Sequence, residues 1–181
     1  NKKKLPEFSF SITFDDGFEN NLSIASPILL KKKIPFTIYL TTNFIQKNEM
    51  SWIDKIEYAF EHSKEKFIKF PWRGGKKILG SLSQRISLLD EIRKFVKSSK
   101  SINSDEFSKS ILKQLNIINI KKDKYLDRKL SWTQISEMAS NNLITFGAHT
   151  HNHLILSYLD SNQLYTEIDT CIKLIKKKNW N

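Results

Sequence analysis

The sequence holds a single cysteine, Cys171, so no disulfide forms within the chain and the redox compartment stays open. Five glycines and four prolines are too few for a collagen-like or low-complexity chain. No apolar run reaches the roughly 18 residues of a transmembrane helix. No apolar signal region follows the opening Asn1-Lys2-Lys3-Lys4. Arginine is scarce as well. Of 30 basic residues, set against 19 acidic ones, only four are arginine, so the net charge of +11 is carried by lysine. Specific reading of bases and phosphates leans on the planar arginine fork. With 23 Ile and 14 Asn beside the lysines, the excess reads as a compositional drift giving a solvated surface. It points away from specific nucleic-acid recognition. What is present suffices for a core. Apolar residues make up 39% and aromatics 12% of 181 residues, the length of one domain or slightly more.

Residues 8–14 alternate, with Phe8, Phe10, Ile12 and Phe14 large against Ser9, Ser11 and Thr13, which predicts a β-strand ending in Asp15-Asp16-Gly17. Residues 20–33 read as a helix carrying Leu22, Ile24, Ile28 and Leu29, with Pro27 placing a later start. Residues 34–42 alternate again, completing a βαβ unit whose two strands are parallel. Residues 50–128 differ. Three helical spacings, begun by Trp52, Leu82 and Phe107, surround a hairpin turning at Arg73-Gly74-Gly75. They read as an inserted, mostly helical subdomain. The core pattern returns at Ser131-Trp132-Thr133-Gln134, a capping box opening a helix, followed by a third strand over residues 143–149. A last helix over residues 160–178 carries Leu164, Ile168, Cys171, Ile172 and Ile175. Trp52 and Trp132 fall at helical spacing and read as core. His62 sits among charges and reads as solvated.

Two polar clusters follow the carboxyl ends of predicted parallel strands, where the loops of α/β sheets and barrels converge on sites. One offers Asp15 and Asp16, the other His149, His151 and His153. Either alone has a bland explanation: Asp-Asp-Gly is a common turn, and spaced histidines can line a polar loop. Together they form a carboxylate and imidazole set suited to a borderline divalent ion such as zinc, with a position left for water. Neighbours on an extended segment point to opposite sides, so Asp15 and Asp16 can hold different roles. If the chain turns helically after the third strand, His149 and His153 face one way and His151 another. The ligand set is then Asp16, His149 and His153, with Asp15 free as a base. An amidohydrolase-like site using His149-x-His151 would need further ligands downstream, and no histidine follows His153.

Ser11-Ile12-Thr13-Phe14-Asp15-Asp16-Gly17 resembles the first motif of the polysaccharide deacetylases, carbohydrate esterases with a nodulation-type deacetylase domain. Gly147-Ala148-His149-Thr150-His151-Asn152-His153 resembles their second motif. Pro35-Phe36-Thr37-Ile38-Tyr39-Leu40 and the helix after Leu130-Ser131-Trp132 also look like the family. The resemblance implies Asp15 as general base and Asp16, His149 and His153 as ligands of a metal, usually zinc. It implies an acetylated glycan as substrate, with N-acetyl groups foremost and O-acetyl groups in some members. It also implies a bacterial cell-envelope glycan pathway.

The family's later motifs, which supply the general acid and aromatic groove walls, find no counterpart before Asn181, and Leu154 stands where the family commonly has Pro. The expected fold is therefore α/β, a partial (β/α) barrel built from residues 1–49 and 129–181 with 50–128 as a mostly helical insertion. Its C-terminal part is expected to be absent, because a full barrel takes about 250 residues. A three-stranded open sheet would expose an edge and favour homo-oligomers. The alternative is a catalytically incomplete metal-binding or carbohydrate-binding remnant.

Overall fold

A computed structural model describes residues 5–177. The chain is a mixed α/β protein divided into two compact units, Asn1–Glu49 with Asp123–Asn181, and Met50–Lys122.

The first unit is built on a parallel sheet in the order β1 (Ile12–Phe14), β2 (Phe36–Leu40), β5 (Ile144–Ala148). Phe36, Ile38 and Leu40 are buried in the central strand and pack with Leu130, Ile135, Met138 and Ile144. Helices α1 (Ser26–Lys31), α2 (Thr42–Lys47), α6 (Trp132–Ala139) and α7 (Ser161–Lys176) complete this unit. The Ser131–Gln134 capping box opens α6 as its sequence requires, and Trp132 packs against the core.

Strand β1 is shorter than its alternation predicts, and Phe8 and Phe10 are exposed. The reason lies in its partner. Ile12 pairs with Phe36, and the residue before Phe36 is Pro35, which has no N–H to extend the ladder. Just upstream, the Ile34 N–H is already donated to Leu29 O, which closes α1.

The segment expected to be one helix opens with a wider π-type turn, Asn21–Ala25, before α1. That turn shifts the helical phase. Leu22, Leu29 and Leu30 pack inward while Ile24 and Ile28 face solvent. Helix α7 keeps only part of its expected inner face. Its buried positions are Glu167 and Cys171, with Ile175 packed on the core, while Ile168 and Ile172 are partly exposed. Lys178, the expected last residue of this helix, lies outside the described residues.

The second unit surrounds its own core of Ile56, Phe60, Ile92, Ile111 and Leu115 with α3 (Trp52–His62), α4 (Leu82–Val96), α5 (Ser104–Gln114) and an antiparallel hairpin. The hairpin is β3 (Phe67–Phe70) and β4 (Arg73–Ile78), and its turn falls at Pro71-Trp72 instead of Arg73-Gly74-Gly75. Phe70 pairs with Arg73 but Lys69 with Lys76, so Gly74 and Gly75 bulge out of the ladder, with Gly75 at φ +80°. Trp52 packs on this core, and His62 is exposed and stacked on Tyr58. No helix among the described residues is long and apolar enough to cross a membrane.

Candidate metal centre

The carboxyl ends of all three parallel strands meet at one polar patch. After β1 the chain reverses through Asp16 at φ +64° and Gly17 at φ +65°, closed by Gly17 N donating to Asp15 O at 2.9 Å. Gly17 O in turn accepts from Leu130 N at 2.9 Å, which anchors the turn to the chain entering α6. A side chain at position 17 has nowhere to go. A Cβ would lie 2.8 Å from Ile45 Cδ1 and 2.9 Å from Leu40 Cδ2, both buried. Gly17→Ala is therefore expected to cost about 2–4 kcal/mol, the sum of a left-handed backbone and an overpacked contact. Gly75→Ala is the control: φ is also positive but nothing lies within 4 Å of the added Cβ, so only the backbone part is lost. Chemical denaturation reads both, and equal losses would contradict the packing argument.

After β5, His149 N donates to Leu40 O at 3.0 Å, continuing the ladder past the last strand residue. Thr150 then takes φ +67° and His153 φ +58°. Thr150 is β-branched, and such a residue at positive φ is an outlier held only by its surroundings. The holding bonds are visible. His153 N donates to Thr150 Oγ1 at 3.0 Å, and the loop carbonyls of Thr150 and His151 accept from Thr42 N and Asn43 N at the start of α2.

These turns bring Asp16, His149 and His153 together, with one potential ligand atom from each lying within 4.8 Å of the others. Asp16 Oδ1 is 3.5 Å from His153 Nε2 and 3.9 Å from His149 Nε2. Tetrahedral zinc with ligands at about 2.0–2.1 Å requires ligand atoms roughly 3.3–3.4 Å apart, close to the 3.5 Å between Asp16 and His153 and shorter than the 3.9 Å between Asp16 and His149. Side-chain exposures of 17% for Asp16, 34% for His149 and 37% for His153 leave the patch open to water and substrate. The chemistry of the donors and their spacing fit a divalent ion held on one side by protein.

Asp15 is exposed and adjacent to Asp16, with its side chain outside the three-residue group. His151 is also outside it. Its Nδ1 is 2.8 Å from Thr42 Oγ1. Cys171 is not a further ligand. It is fully buried, its Sγ lies 3.5 Å from Leu40 O, and burial pushes the thiol pKa up, away from the thiolate that metals bind.

Sequence reasoning missed the residues that hold the ligands. Thr41 stands at the position where a Thr side chain would cap α2, yet its Oγ1 donates to Asp16 Oδ1 at 2.8 Å and also lies 3.2 Å from His149 O. It links the two motifs from a buried position at the end of β2. Phe44 flanks His153 with ring centroids 5.7 Å apart. Gly147 leaves room for the Tyr39 ring, which stands 6.3 Å from that of His149. The signal for Thr41 was available: it ends the middle strand of three whose other ends carry the motifs.

The polysaccharide deacetylase family profile matches residues 2–179, nearly the whole chain. The chain belongs to the polysaccharide deacetylase family. The solved deacetylase domain of BpsB from Bordetella bronchiseptica is similar at 15% identity, with a TM-score of 0.39. The similarity covers 92% of this deacetylase-family chain and 49% of the BpsB chain, so the present sequence spans about half its length. A search among curated proteins finds no match.

Proposed function

We propose that this chain is a metal-dependent hydrolase removing acetyl groups, N-acetyl foremost, from an acetylated glycan. The observation that carries the reading is the convergence of Asp16, His149 and His153 from two strand ends beside an exposed Asp15, in a chain of this family. Asp16, His149 and His153 hold the ion, most suitably Zn2+, given one carboxylate and two imidazoles. When bound, such an ion lowers the pKa of water and polarises an acyl carbonyl.

The remaining work falls to the chain. Thr41 orients Asp16 by donating to Oδ1, which leaves Oδ2 without that constraint. Asp15 accepts the proton of the water that attacks the acetyl carbon. As the new carbon–oxygen bond forms the carbon–nitrogen bond breaks, and the proton held by Asp15 passes to the leaving nitrogen, giving acetate and a free amine. In this reading the three-stranded sheet is the front part of a deacetylase (β/α) barrel, and residues 50–128 are an insertion in it.

The test is acetate release from acetylated glycan oligomers by chelator-stripped and zinc-restored protein. Release is expected to vanish on stripping and return with zinc. Release that survives complete stripping would contradict the metal-dependent reading.

A further inference from the structure

Helix α7 buries a carboxylate on its inner face. Glu167 is 4% exposed, one turn before Cys171 and two turns before Ile175, so it occupies the i, i+4, i+8 stripe that packs inward. A charged group there is unfavourable unless hydrogen bonds replace its water. Both oxygens are supplied by one residue. Asn152 N donates to Glu167 Oε2 at 2.8 Å and Asn152 Nδ2 to Oε1 at 2.5 Å.

Asn152 is the residue immediately before His153, within the segment where Thr150 and His153 take left-handed backbone conformations. A two-point attachment to backbone and side chain of the same residue fixes both its position and its orientation. The helix making the attachment is itself registered on β2, because Cys171 Sγ on the same stripe meets Leu40 O, one residue before Thr41.

Resting on the metal-centre reading above, we propose that Glu167 is a positioning residue for the metal. It clamps Asn152 and so holds His153 in its left-handed conformation, with Nε2 facing Asp16. It touches neither ion nor substrate and acts entirely through the loop. Ligand-orienting groups behind the ligands commonly change metal affinity by about 10–100-fold when removed.

The test compares zinc affinity by chelator competition, the visible spectrum of the cobalt-substituted protein, and the melting temperature of the metal-free chain. Glu167→Ala removes both acceptors and is expected to weaken zinc by about 10–100-fold and to alter the cobalt spectrum. Glu167→Gln keeps one acceptor oxygen but presents an amide N–H to a donor, and its loss should be intermediate. Asn152→Ala keeps the backbone bond and should lose least. A merely structural Glu167 would lower the melting temperature while leaving zinc affinity and the cobalt spectrum of the folded variants unchanged, and that result overturns the inference. If Glu167→Ala does not fold, unchanged zinc affinity in both Glu167→Gln and Asn152→Ala overturns it equally. If the native chain binds no zinc, the functional reading itself falls and this inference with it. Native binding with no graded loss removes the inference alone.

Discussion

Asp15→Asn is expected to lower the rate of acetate release by about 10²–10⁴-fold while leaving zinc affinity within a factor of two of the native chain. The two neighbouring carboxylates divide the labour. Asp16 is turned inward by its left-handed backbone and held by Thr41, whereas Asp15 is exposed and outside the ligand group. Asparagine has nearly the shape of aspartate but cannot accept a proton at neutral pH, so the substitution removes the base and little else. Steady-state kinetics together with a zinc titration separates the two properties. A variant that loses zinc along with activity would show Asp15 to be a ligand. A variant that retains full activity would show that another group takes the proton.

Asp16→Asn is the complementary case, with a zinc affinity expected to fall by at least about 100-fold. Loss of groups that merely orient ligands costs about 10–100-fold, and a direct carboxylate ligand should cost no less. Asparagine is well suited to the test because Asn and Asp are the non-glycine residues that best tolerate the left-handed conformation, here φ +64°. Its amide oxygen can still accept from Thr41. The fold should therefore persist, with metal-free stability close to native by thermal denaturation. A folded Asp16→Asn chain that binds zinc with native affinity would remove Asp16 from the ligand set.

Local chemistry explains why the candidate ligands were legible in the sequence and the residues that contact them were not. Asp15-Asp16-Gly17 and His149-x-x-x-His153 declare themselves as a pair, because both follow the carboxyl ends of segments that period-two alternation marks as strands. Thr41 and Glu167 act across 25 and 15 residues of sequence, on Asp16 and Asn152, and neither has a local pattern to mark it. A Glu on a helix reads as a solvated residue until its helix is packed. The apolar spacing of α7 placed Ile168 and Ile172 inside with Cys171 and Ile175, whereas packing keeps Cys171 and Ile175 inward, adds Glu167 and leaves Ile168 and Ile172 at the surface.

The same contrast runs through the fold. The capping box at Ser131 is complete within four residues and appears as written. The length of β1 depends on what its partner can donate, and Pro35 sets that limit from the neighbouring strand. The alternation of residues 34–42 runs past Leu40, the last residue of β2, and no pattern in the sequence marks α2. Its start is instead fixed by loop carbonyls after β5, more than 100 residues away.

The most direct measurement is the zinc content of the native chain after chelator stripping, readdition and removal of free metal, set beside His149→Ala and His153→Ala. Close to one ion per native chain is expected, and almost none in either variant. A folded native chain that takes up no zinc, or variants that bind as much as the native chain, would contradict the claim that Asp16, His149 and His153 form the centre.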